Sequence, residues 1–173
     1  MSGIFGMNIK MAIYGESHGK SIGVVLDGLP PGLALDEAAI AAEMARRAPG
    51  QNALSTARKE SDTVEIQSGF FNGFTTGTPL CARIVNSDQH SKDYSILADK
   101  MRPGHADYAG HVRYQGFNDY RGGGHFSGRL TAPLVFAGAV AKQALAQYGI
   151  VVGSHILQIN DIKEERFNPM GVS

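Results

Sequence analysis

The sequence predicts an α+β fold, with helices packed against mainly antiparallel sheet. Two observations carry this expectation. Strand-like segments come in runs between a few helix patterns instead of alternating with them regularly, and Asn72-Gly73 sits between short apolar runs as a hairpin turn. A chain of 173 residues can bury a substantial core, and it shows no internal repeat, low-complexity tract or linker. Residues 1–173 therefore read as a single domain.

The elements follow in order. Ile9–Tyr14 is a short apolar strand that runs into a glycine-bounded polar turn, Gly15 to Ser21. Ile22–Leu26 is a second strand, ended by Gly28-Leu-Pro-Pro-Gly32. Asp36 can cap a helix that runs to about Arg47, with Ile40 and Met44 one turn apart on its buried face and Pro49-Gly50 as its stop. Gln51–Asp62 is polar and aperiodic, which reads as a mobile loop, and Thr63–Gln67 alternates as a half-buried strand. Pro79–Val85 is a further strand, Asn86–Tyr94 a polar connection and Ala106–Tyr114 a short helix. The strongest helix pattern is Leu130–Tyr148, with Leu134, Ala137, Val140, Ala141, Ala144 and Leu145 on one face. Pro133 falls in its first turn, where a missing N–H costs little, and Gly149 is a natural stop. Ile150–Val152 and Ile156–Ile159 have terminal strand character.

Composition narrows the function. Apolar content of 43%, charged content of 18% and a formal net charge of zero fit a soluble globular protein. They argue against a general nucleic-acid or membrane-surface binder. Cys81 is the one cysteine, so no intramolecular disulfide forms and a reducing compartment is expected. Its neighbours Leu80, Ala82 and Ile84 suggest a packed thiol. The start carries no secretory pattern, and the apolar segment near 130–146 is interrupted by Pro133 and Lys142, too short and mixed to span a bilayer. A cytoplasmic location is expected.

Chemistry concentrates between Lys100 and Arg129. This stretch holds four arginines (Arg102, Arg113, Arg121, Arg129), three of the chain's six histidines (His105, His111, His125) and three consecutive glycines, Gly122 to Gly124. Arginines fork onto phosphate or carboxylate oxygens, and glycines let backbone approach a ligand closely. The residues thus point to an anion site with titratable groups beside it. Asp107 stands where it can orient the His105 ring after the tight Arg102-Pro-Gly104 turn.

Several local patterns fit other chemistries less well. Gly15-Glu-Ser-His-Gly19 matches a G-x-S-x-G nucleophile elbow, making Ser17 a candidate hydrolase nucleophile, but that elbow needs a following helix and strand-like Ile22–Leu26 follows instead. Gly15 to Ser21 is also one residue short of a phosphate-binding P-loop. Gly122-x-Gly124 lacks the third glycine of a dinucleotide fingerprint, since Ser127 occupies that place. His105, Asp107 and His111 offer metal donors without a recognised ligand spacing, so no metal is expected.

Taken in order, the polar segments resemble chorismate synthase. They are Gly15-Glu-Ser-His-Gly19, Asp27-Gly-Leu-Pro-Pro-Gly32, Arg46-Arg47 with Pro49-Gly50, and Thr75-Thr-Gly-Thr-Pro79. Ser91-Lys-Asp-Tyr94, Arg102-Pro-Gly-His-Ala-Asp107 and Asp119-Tyr-Arg-Gly-Gly-Gly124 complete the series. The resemblance implies a β-α-β sandwich in two related halves, a homotetramer, and conversion of 5-enolpyruvylshikimate-3-phosphate to chorismate and phosphate by 1,4-elimination with reduced FMN. NADPH is implied as a possible reductant. By resemblance His18 protonates the leaving phosphate and His105 sits against the flavin. Ser17, Arg47, Arg102 and Arg129 would hold the substrate, and Arg47, His125, Phe126 and Ser127 would contact the cofactor. His125 and Phe126 depart from the arginine and serine of many members, and Ala48 and Ala53 stand where many carry arginines. Family chains continue well beyond this length, so the resemblance implies that this chain holds the first half. It is then expected to lack synthase activity alone, to bind FMN weakly and to expose an apolar patch; the competing expectations are a fragment that retains only anion or flavin binding, or a serine hydrolase.

Overall fold

The structure is a computed structural model, and it describes residues 4–48, 62–86, 97 and 99–165. Its centre is a five-stranded antiparallel sheet in the order β1-β2-β3-β7-β4. These strands are β1 (Ile4–Phe5), β2 (Lys10–Gly15), β3 (Ser21–Asp27), β4 (Val64–Ser68) and β7 (Leu80–Val85). Between β4 and β7 lies a small hairpin of β5 (Phe70–Phe71) and β6 (Phe74–Thr75), turning at Asn72-Gly73 with φ of 49° and 85°. Both angles are left-handed, which is why Asn-Gly occupies the turn.

Period-two alternation decides which side of the sheet is buried. Ile22, Val24 and Leu26 of β3 pair with Ile84, Ala82 and Leu80 of β7, and all six are buried on one face. On that face lie the two long helices, α1 (Glu37–Arg47) and α3 (Thr131–Ala146), packed against each other. Asp36 caps α1 as expected, its carboxylate accepting from Ala38 and Ala39 N–H at 2.9 and 3.0 Å. The same residue joins the helices: its N–H donates to Gln143 Oε1 of α3 (2.8 Å), and its carbonyl accepts from Gln143 Nε2 (3.0 Å). A short helix, α2 (Asp107–Arg113), and two 3-10 segments, Arg121–Phe126 and Gly128–Leu130, connect the sheet to α3.

The expected strands and helices all form, within a residue or two of their predicted ends, except near the C-terminus. Ile150–Val152 forms no strand, and only Gln158–Ile159 (β8) pairs, with Ile162–Lys163 (β9). Two other expectations need correction. The buried side of α3 is Ala132, Pro133, Phe136, Ala137, Ala139 and Val140, whereas Leu134 is exposed. This helix is apolar nearly all round, so periodicity alone does not choose a face, and the Phe136 ring fixes the rotation by filling the space over the sheet. Cys81 points away from Leu80 and Ala82 to the opposite, half-open face, where its Sγ lies 3.9 Å from the Tyr14 hydroxyl.

The loop expected over Gln51–Asp62 lies outside the described residues except for Asp62, which is buried. The polar connection expected over Asn86–Tyr94 likewise lies outside them beyond Asn86.

Candidate functional site

The glycine loop organises the site. Gly122, Gly123 and Gly124 have φ of 57°, 86° and 54°, a run that side-chain-bearing residues adopt only under strain. Space is excluded as well. A Cβ on Gly122 would sit 2.2 Å from His18 Cε1, and one on Gly123 would sit 2.6 Å from His105 Cε1. Successive residues of one loop therefore abut the two histidines that lie far apart in sequence. Only bare backbone lets both rings approach it so closely.

His18 is held from below by its neighbour. Ser17 Oγ lies 3.1 Å from His18 Nδ1 and 3.3 and 3.2 Å from the carbonyls of Arg121 and Gly122. Those carbonyls accept only, so the Ser17 hydroxyl hydrogen goes to one of them and Oγ accepts from His18 Nδ1–H. This hydrogen-bond logic assigns the tautomer and leaves Nε2 as the acceptor of the neutral ring. Ser17 is fully buried, and β3 rather than a helix follows its turn. A nucleophile elbow needs an exposed hydroxyl and a helix there. Asp119, two residues before Arg121, has its carboxyl held below the usual carboxylate range; Arg121 hydrogen bonds are the main cause, burial opposes them, and the charge of His18 contributes least.

At the second histidine, Asp107 is bonded first to Arg102. Arg102 Nε and Nη2 donate to its two carboxylate oxygens at 2.8 and 3.0 Å, and Arg102 N–H adds a third bond at 3.0 Å. The Arg102 guanidinium consequently holds the Asp107 carboxyl well below the ordinary range, against the opposing effect of burial. His105 Nδ1 is 2.7 Å from Asp107 Oδ1, but it is not aligned as a hydrogen bond. Proximity to the carboxylate, together with Gly123 on its other side, places the ring.

A second cluster is largely buried, with the Arg47 side chain 20% exposed at its edge. Asp62, with its side chain 1% exposed, accepts from Arg47 Nη1 through Oδ2 (2.5 Å) and from Arg129 Nη1 through Oδ1. Asn86 ties this cluster to the histidine turn. Its Oδ1 accepts from Arg129 Nε at 3.4 Å, and its Nδ2 donates to the carbonyls of Glu16 and Gly19 at 3.0 and 2.9 Å. Ser127 caps the short segment that carries Arg129, its Oγ accepting from Arg129 N–H at 3.3 Å.

The two residues that depart from the commoner pattern serve the loop itself. His125 Nδ1 lies 2.9 Å from the Gly15 carbonyl and donates to it. Phe126 packs on Tyr114 with ring centroids 6.1 Å apart. Beside them is a cavity of about 370 Å³ lined by Glu16, Tyr114, Phe117, Asn118, Asp119, His125 and Phe126.

The structure thus gathers Ser17, His18, His105 and Arg102 around one loop, and Arg47, Arg129 and Ser127 around Asp62. Sequence reasoning missed Asp62 and Asn86. Asp62 and Asn86 sit at the edges of polar segments and belong to no local motif, so only tertiary placement reveals them. Among the described residues, no group of three or more metal-ligating side chains is clustered. No helix among them is long and apolar enough to cross a membrane.

Known proteins resemble this chain along most of its length. The family model for chorismate synthase matches residues 9–172. The chain is 51% identical over 164 residues to a chorismate synthase of Sulfurimonas denitrificans, covering 95% of this chain and 46% of that one. It is 48% identical over 163 residues to that of Cytophaga hutchinsonii, covering 94% and 45%. With the chorismate synthase of Pyrococcus abyssi it shares 47% over 161 residues, covering 93% and 45%. A crystal structure of chorismate synthase superposes with a TM-score of 0.68 at 32% identity, covering 91% of this chain and 40% of that chain. The chain therefore spans a little under half the length of the relatives it matches. It belongs to the chorismate synthase family.

Proposed function

We propose that this chain supplies the His18–His105 side of a lyase site that converts 5-enolpyruvylshikimate-3-phosphate to chorismate and phosphate. The observation that carries the reading is the contact of Gly122 and Gly123 with the two histidine rings. The substrate bears a phosphate and two carboxylates, which suits a site rich in arginine. Arg47, Arg102 and Arg129 are the cations assigned to them, with Ser17 supporting the substrate end through His18.

His18 acts as the proton donor to the leaving phosphate. Its Nδ1 is committed to Ser17, so the transferred proton is carried at Nε2, and only the imidazolium holds one there. Turnover accordingly falls as alkaline pH removes the imidazolium. His105, against Gly123, is the histidine assigned to the cofactor.

The electron density that the reacting allylic system needs would be supplied by reduced FMN when bound. The cavity by His125 and Phe126, with Tyr114 and Phe117 also in its walls, suits a flavin ring, and Ser127 is assigned to the same cofactor. No lysine or arginine is among the described residues that line it, and Arg47 is the candidate assigned to the flavin phosphate. NADPH as the reductant, a cytoplasmic location and a homotetramer belong to the same reading.

A second reading is supported by the length of the chain: folding and anion binding without turnover. Phosphate release from the substrate, under anaerobic conditions with reduced FMN, separates the two. The chain is assayed alone and mixed with the C-terminal portion of a relative. Release from the mixture that drops in both His18→Ala and His105→Ala supports the lyase. Release at the unsubstituted rate in both variants contradicts the assigned roles, and substrate binding without any release supports the second reading.

A further inference from the structure

Two arginines assigned to substrate anions come from distant parts of the chain, Arg47 at the end of α1 and Arg129 just before α3. Both converge on Asp62, one carboxylate oxygen to each guanidinium. Without that carboxylate the two like charges would repel across a poorly hydrated space. With it the group of three keeps one net positive charge, two cations and one anion, in a fixed arrangement. Burying such a group is expensive, and a hydrophobic replacement of similar volume commonly serves stability as well or better. The link through Asn86 to the Glu16 and Gly19 carbonyls gives the arrangement a use beyond packing, because it couples the arginines to the turn that carries His18.

We propose that Asp62 is a positioning residue: it clamps Arg47 and Arg129 into one rigid pair that reads the spacing of charges on the substrate. The inference rests on the assignment of those arginines to the substrate. It makes a distinction that simple charge counting does not. Removing the carboxylate makes the site more positive, so a small anion such as inorganic phosphate should bind as well or better. The extended substrate, which needs both guanidiniums in register, should bind worse. Selectivity, the ratio of the two affinities, is therefore the signature of a clamp.

The test uses the full 173-residue chain with its arginines labelled at Nε, comparing Asp62→Asn and Asp62→Glu with the unsubstituted protein. Binding of 5-enolpyruvylshikimate-3-phosphate and of inorganic phosphate is measured by titration while the Arg47 and Arg129 Nε–H resonances are followed. Arg46 and Arg83, bonded through Nε to Glu43 and Glu65 away from the site, serve as internal references. The clamp predicts that the substrate shifts both resonances together. It also predicts that Asp62→Asn lowers the substrate-to-phosphate affinity ratio about tenfold or more, the size of a lost charge-assisted hydrogen bond. Asp62→Glu, which restores the charge, should recover part of that loss.

An unchanged ratio in folded Asp62→Asn overturns the clamp. If Asp62→Asn does not fold, the unsubstituted chain decides: a substrate that shifts one of the two resonances without the other overturns it equally. Failure of the underlying assignment looks different: the substrate then shifts neither Arg47 nor Arg129 in the unsubstituted chain. In that event the clamp itself is judged by whether the two resonances move in Asp62→Asn without ligand, and unmoved resonances overturn it.

Discussion

Substituting alanine for Gly122 probes the glycine loop at the point where it meets His18. Two effects add. The left-handed backbone, φ 57°, penalises any Cβ by about 1–2 kcal/mol. The new methyl would also sit 2.2 Å from His18 Cε1 and 2.9 Å from Ser17 Oγ, against an ordinary carbon contact of about 3.5–4.0 Å. The ring must retreat within a buried site, and overpacking of that kind costs about 1–3 kcal/mol. Gly73 provides the matched control: its φ is also left-handed, 85°, but a Cβ there meets nothing within 4 Å. Gly122→Ala should thus destabilise by about 2–5 kcal/mol and Gly73→Ala by about 1–2 kcal/mol. Urea unfolding measures both, with an unchanged slope confirming that the midpoints report stability. Equal midpoints for the two variants, with the His18 ring resonances unmoved in Gly122→Ala, would refute the idea that the loop is glycine because the histidine needs the space.

Other perturbations address the scaffold and its electrostatics. Phe136→Ala empties the centre of the helix–sheet core, where Phe136 is 1% exposed, and should cost about 3–5 kcal/mol in the same unfolding assay. Asp36→Ala removes the α1 cap and should cost about 1 kcal/mol, with Asp36→Asn close to neutral because amide oxygen caps as well. Asp107 titrates lower in the folded chain than in the unfolded one, so its contribution to stability is full above the ordinary aspartate value of about 4 and is lost as pH falls toward the lowered folded value. Asp107→Asn should flatten that acid limb of the stability curve, and an acid limb of unchanged steepness would contradict the Arg102 pairing.

Much of the scaffold was legible because it rests on local rules. Asp36 before an apolar-periodic run, Asn72-Gly73 between strands and the alternation in β3 and β7 each specify their element within a few residues. The buried face of α3 was not legible, because a helix apolar on every side leaves the choice to the shape of the sheet it covers. Ile150–Val152 resemble a strand in composition, but a strand forms only where a neighbour offers its edge. In the site, His18, His105 and the three glycines were readable as residue types in a shared order. Their contact was not, since Gly122 meets His18 across more than a hundred residues of chain. Asp62 was invisible for the same reason: nothing near it in sequence says that two arginines will converge on it.

The central claim is that one glycine loop holds His18 and His105 at a common anion site. Titrating the chain with 5-enolpyruvylshikimate-3-phosphate while recording the histidine ring nitrogens tests it most directly. His18 and His105 should shift together, with one shared affinity, while His155, paired with Glu164 in the C-terminal segment, stays in place. Saturable binding that leaves both His18 and His105 unmoved would contradict the account.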